Sequence, residues 1–116
     1  MKLFESERKV MEVLWREGAL TAGEISKILA LEIGWNRNTT YTIINKCISK
    51  GYISRGEKKF ICTPILSREE TRSKELTEIM EKYFDNSPVK LFGALIKTSN
   101  KQEIKKMKKI IKNMDI

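Results

Sequence analysis

Six hydrogen-bonding side chains between positions 38 and 46 fall on or beside one helical face: Asn38, Thr39, Tyr41, Thr42, Asn45 and Lys46. On a helical wheel, Asn38, Thr42, Asn45 and Ser49 share one face, flanked by Thr39, Tyr41 and Lys46, while Thr40, Ile43, Ile44, Cys47 and Ile48 form the opposite, apolar face. The polar face carries no acid. Short amide and hydroxyl groups on such a face fit the major groove of a duplex, where they meet base edges, the thymine methyl and phosphate oxygens. The plainer reading is a solvated helix surface, and the next segment of the chain argues against it. Tyr52–Arg55 and Lys59–Thr63 are short and β-prone, joined by a turn around Gly56-Glu57-Lys58, so Arg55, Lys58 and Lys59 crowd a hairpin tip. Charge of this kind also protects edge strands. Here, however, residues 33–59 hold six Lys/Arg against one Glu, whereas residues 1–32 hold five against six. The positive charge of this half is concentrated on the helix and hairpin, as the footprint of a polyanion-binding surface should be.

The rest of the first half reads as support. Val10, Met11, Val13, Leu14 and Trp15 give a helix over residues 5–17, ended by Gly18. Thr21 and Glu24 form a capping box for a second helix whose inward stripe is Ile25, Ile28 and Leu29. Gly34 supplies a bend, Trp35 an aromatic plug and Asn36 an N-cap for the polar helix. A helix that crosses the backbone, a turn, a reading helix and a hairpin together make a winged helix-turn-helix.

After Pro64 the pattern changes. Ser67 and Glu70 are a second capping box, opening a helix to about Asp85 with Leu76, Ile79, Met80, Tyr83 and Phe84 as its stripe. Asn86-Ser87-Pro88 breaks it. Val89, Leu91, Phe92, Leu95 and Ile96 form a short apolar helix, and Ser99 or Asn100 caps a last one in which Ile104, Met107, Ile111 and Met114 recur every seven or so residues. The six lysines between Lys101 and Lys112 mostly lie opposite that stripe and read as a solvated outer face. Three short amphipathic helices make a poor monomer, because the entropy of ordering so small a unit rivals what burial returns. A homodimer through residues 67–116 would cover the stripes, with Leu76, Ile79, Met80, Tyr83, Phe84, Phe92, Leu95, Ile104, Met107 and Ile111 as its contacts.

Composition narrows the function class. The chain has 116 residues and a net charge of +8, enough for one small domain with an appendage. It has no histidine, and Cys47 and Cys62 lack metal-ligand spacing, so both read as buried small hydrophobes and no metal or cofactor is implied. Acids stand where a signal peptide would need an apolar run, and no apolar stretch could span a bilayer, so the expected setting is the cytoplasm with no membrane partner. No nucleophile with a base partner and no phosphate-cradling glycine loop is present, which leaves no case for an enzyme.

Four segments resemble the penicillinase-repressor family (BlaI/MecI type): "ERKVMEVLWREGALTAGEI", "WNRNTTYTIINKCISKGYI", "FICTPILSREE" and "ELTEIMEKYFDNSPVKLFGALIK". They span nearly the whole chain in the family's order. The resemblance implies a homodimeric bacterial transcriptional repressor that binds palindromic operators, and with it a link to antibiotic resistance. By position it implies that Thr39, Tyr41 and Thr42 lie at the reading end of the recognition helix, Lys46 at its following basic position, and Arg55, Lys58 and Lys59 in the wing. It also implies a sensor-linked protease that cuts the penultimate helix at an Asn-Phe pair. Ala94 and Leu95 stand there in this chain, the loop after them is shorter, and the paired-cysteine motif of the copper-responsive cousins is missing. A repressor of the same family answering a different signal fits those departures.

The sequence therefore predicts a mainly α fold with a small β-hairpin, divided into a winged-helix DNA-binding domain at 1–66 and a three-helix dimerisation region at 67–116. The competing reading from another class is a winged helix that serves as a protein-interaction module.

Overall fold

The architecture was obtained as a computed structural model that describes residues 2–115. Helix α1 (Glu5–Glu17), strand β1 (Leu20–Thr21), helices α2 (Ala22–Ile33) and α3 (Arg37–Ser49), and strands β2 (Ile53–Arg55) and β3 (Ile61–Pro64) precede three further helices, α4 (Arg68–Tyr83), α5 (Pro88–Thr98) and α6 (Lys101–Lys112). The chain divides into two compact units, Met1–Arg72 and Ser73–Ile116, with the division falling just inside α4.

In the first unit, the inward residues of three helices meet in one core. Val10, Met11, Val13 and Leu14 of α1, Ala22, Ile25 and Leu29 of α2, and Ile43, Ile44 and Cys47 of α3 are buried together with Tyr52, Ile53 and Cys62. Each full burial of a large aliphatic side chain contributes about 1.5–3 kcal/mol, so this core fixes how α3 is presented. Leu3, Trp15, Leu20, Ile28, Trp35, Tyr41, Ile48, Phe60 and Leu66 pack around it, half-buried. Trp15 and Trp35 are thus packing residues, and Trp15 also donates its indole N–H to the Leu66 carbonyl at 2.8 Å.

The sheet has three antiparallel strands in the order β1-β3-β2, not the two strands of a lone hairpin. Leu20 pairs with Cys62 and Thr21 with Ile61, on the opposite edge of β3 from the Ile53–Pro64, Ser54–Thr63 and Arg55–Cys62 pairs. Two residues are too few to show a period, so β1 leaves no pattern in the sequence. Thr21 serves twice, as the last residue of β1 and as the N-cap of α2. Its hydroxyl accepts from the Glu24 amide at 3.1 Å, and Glu24 Oε1 accepts from the Thr21 amide at 3.1 Å. That bond, together with the hydroxyl contact, holds the Glu24 carboxyl below its usual range. The hairpin is also shorter than the sequence suggests: its strands begin at Ile53 and Ile61, because Gly56–Phe60 all belong to the turn.

The helix ends follow their caps. Gly34, at φ 73°, turns the chain from α2 into α3, a left-handed conformation that a Cβ disfavours. The Asn36 side chain then accepts from the Thr39 amide at 2.8 Å. Ser67 accepts from the Glu70 amide at 3.0 Å, and Asn100 rather than Ser99 caps α6, accepting from the Glu103 amide at 2.8 Å.

Within the second unit, α4 stops at Tyr83 because Asp85 and Asn86 turn left-handed, at φ 51° and 56°. Ser87 caps α5 and Pro88 takes its first turn, where a missing N–H costs nothing. No residue of α5 or α6 is buried. Met80, Phe84, Phe92, Ile104 and Met107 are half-buried, while Leu76, Ile79, Tyr83, Leu95 and Ile111 are exposed.

Candidate nucleic-acid interface

The outer face of α3 is the one the periodicity places there. Asn38, Thr39, Thr42, Asn45, Lys46 and Ser49 are exposed, and Tyr41 is half-buried at their edge. Behind them Thr40 and Ile44 are fully buried and Ile43 nearly so, so the polar face is backed by a rigid one. Thr42, Asn45, Lys46, Ser49 and Lys50 line a shallow groove along it. Thr42 donates its hydroxyl to the Asn38 carbonyl at 2.9 Å, as Thr40 does to Asn36 at 3.1 Å. This bond orients Thr42 without consuming its acceptor capacity or its methyl group.

Arg55, Lys58 and Lys59 are exposed in the wing. The wing tip is tightly closed: the Gly56 amide donates to the Ile61 carbonyl at 2.8 Å, and a Cβ at Gly56 would stand 3.3 Å from the Lys59 carbonyl oxygen. Wing and helix meet through rings. Tyr41 and Phe60 stand edge-to-face with centroids 5.6 Å apart, and the Arg55 guanidinium lies 3.8 Å from the Phe60 ring centre. Arg37 Nη2 donates to the Tyr41 hydroxyl at 3.0 Å. Neither Arg37 nor Phe60 is among the residues that the sequence singles out. The Arg37–Tyr41 spacing of one helical turn is a usable signal, whereas the Phe60 contact joins separate elements and leaves none.

A second connection that the sequence does not reveal fixes the far end of α3. Glu7 is 1% exposed, yet its carboxylate meets the Lys50 ammonium at 2.8 Å and accepts the Phe4 amide at 2.8 Å. Lys50 also lies 4.2 Å from the Phe4 ring centre. The pair joins the acid-favouring N-terminus of α1 to the cation-favouring C-terminus of α3, so each charge is also suited to its own helix dipole.

The two thiols are free and buried. Burial, and then the Glu7 charge, pushes Cys47 up to about 12, and burial pushes Cys62 up to about 11. Buried among apolar neighbours, both thiols are held in the protonated form at neutral pH. Among the described residues, no group of His, Cys, Asp or Glu could hold a metal ion, and no helix is long and apolar enough to cross a membrane.

Ala94 is half-buried and Leu95 exposed, and both lie inside α5. A protease that takes extended chain would have to open that helix first.

A family model described as "Penicillinase repressor" matches residues 3–113. The chain belongs to the penicillinase repressor family. The match runs through both compact units, so family membership is not a property of the winged helix alone. Among solved structures, the chain is similar to the one titled "Solution structure of the DNA binding domain of the repressor BlaI", with a TM-score of 0.54 and 24% identity over 60% of this chain and 87% of that one. That likeness establishes the winged-helix fold. A comparison with curated proteins gives no match.

Proposed function

We propose that this penicillinase-repressor family member is a bacterial transcriptional repressor that acts in the cytoplasm and binds palindromic operator DNA as a homodimer. Residues 1–66 are its DNA-binding domain and residues 67–116 its dimerisation region. The observation that carries the reading is the acid-free, hydrogen-bonding face of α3 beside a wing bearing Arg55, Lys58 and Lys59. Asn38, Thr39, Thr42 and Asn45 meet base edges, with Tyr41 and Lys46 at the margin of the groove, and the wing cations meet phosphates. No acidic or apolar recognition face is present to favour protein binding instead. Ala94 and Leu95 stand at the family's cleavage position in place of its Asn-Phe pair, which supports a second reading, a repressor of the same family answering a signal other than a β-lactam.

The test is a titration of labelled duplex, selected as a palindrome from the chain's own upstream region, across a range of salt. If the dimer makes 6–10 phosphate contacts, affinity falls by about 10³–10⁵ between about 50 and 200 mM salt. Binding that ignores salt, or that shows no preference for the palindrome over random duplex, defeats the proposal.

A further inference from the structure

Arg37 occupies the first position of α3, in a turn without an acid. A cation at a helix N-terminus faces the positive end of the dipole, so this placement costs helix stability. Its partner in the structure is an aromatic ring. Nη2 donates to the Tyr41 hydroxyl at 3.0 Å, and the guanidinium carbon lies 4.9 Å from the centre of the Tyr41 ring. Tyr41 meets Phe60 edge-to-face at 5.6 Å and 87°, and Phe60 carries the Arg55 guanidinium 3.8 Å from its centre. The four side chains form an unbroken series from the start of the recognition helix to the wing. The two rings are half-buried against the core, and the two arginines at its ends are exposed.

We infer that Arg37 and Arg55 are paired backbone-phosphate contacts, held at a fixed separation by the Tyr41–Phe60 pair, so that recognition helix and wing engage the duplex as one unit. The inference rests on the duplex-binding reading above. Arg55, close over the Phe60 ring, keeps its N–H edge available for the bidentate bonds that phosphate accepts, and Arg37 keeps the N–H groups that Tyr41 does not engage, while both ring contacts remove side-chain freedom that binding would otherwise have to freeze. Tyr41 is then a positioning residue. Its hydroxyl is engaged by Arg37, and its ring faces Phe60, so its contribution is to where the two cations stand.

The experiment uses the full chain, with the selected palindrome and a random-sequence duplex as probes. Arg37→Ala should flatten the dependence of log affinity on log salt by about 0.9 for each phosphate given up, lower affinity for both probes together by about tenfold, and leave the folded circular-dichroism spectrum in place. Arg37→Lys should restore the slope but only part of the affinity. Tyr41→Phe keeps both charges, so it should leave the slope intact and lower affinity for both probes about threefold. An Arg37→Ala variant with the parent's slope overturns the inference. So does one that weakens only the palindrome, because Arg37 would then be reading bases, and so does a Tyr41→Phe variant with the parent's affinity. If the parent chain binds neither duplex, it is the repressor reading that fails, which the parent titration alone reveals.

Discussion

Thr42 donates its hydroxyl proton back to the Asn38 carbonyl, so toward solvent it offers an oxygen that accepts and a methyl that packs. Those two properties suit different bases: on the proposed duplex the oxygen would meet the amino group of cytosine or adenine, and the methyl would meet the methyl of thymine. Val and Ser substitutions separate them. Thr42→Val keeps the shape and loses the acceptor, whereas Thr42→Ser keeps the oxygen and loses the methyl. One of the two should lose about 1 kcal/mol of discrimination, roughly fivefold, between palindrome and random duplex. The other should behave as the parent, and the pair of titrations identifies which group does the reading. If either variant weakens both duplexes equally, Thr42 contacts the backbone. This residue is legible from sequence because a helical period with buried Ile43, Ile44 and Cys47 leaves no other place for it. Arg37 is not, because its significance lies in what it leans on.

Between elements, legibility fails in a consistent way. Helix ends are readable where a cap is a local pattern, as at Thr21, Asn36 and Ser67, each of which bonds an amide three residues on. Contacts across elements leave no such trace. Strand β1 exists only because Leu20 and Thr21 find the free edge of β3, and Glu7 is buried only because Lys50 arrives from the far end of α3. That ion pair ties α3 to α1 in a fixed orientation. Removing one partner of a buried pair strands the other, which typically costs about 3–5 kcal/mol. Lys50 keeps about a fifth of its side chain in water and can rehydrate, so Glu7→Ala should cost about 2–3 kcal/mol, below that range. Urea unfolding measures it as a lower midpoint at unchanged slope. Glu7→Gln preserves the bond to the Phe4 amide and should cost less. If both variants unfold with the parent, the pair does not anchor α3.

For the whole molecule, the second unit carries a surface that a single copy leaves open. Leu76, Ile79 and Tyr83 recur on one face of α4 and are 53%, 44% and 69% exposed, and Leu95 of α5 and Ile111 of α6 are each 46% exposed. Large apolar side chains left in water on each of three helices are costly, and a self-complementary interface would cover them. The proposed palindromic operator would demand the same symmetry, since one α3 would read only a half-site. The tail would then set half-site spacing while α3 sets sequence. Ile79→Glu tests this directly. An exposed side chain contributes little to the fold of its own protomer, but a carboxylate there would be desolvated in a dimer. In sedimentation the parent should run as a dimer and the variant as a monomer, with circular dichroism unchanged. Its affinity for the palindrome should drop by about 10²–10⁴, the avidity of the second copy, while a half-site duplex is bound as before. A variant that stays dimeric would place the interface elsewhere on the tail, and a monomeric variant that still binds the palindrome tightly would mean that the two copies do not cooperate.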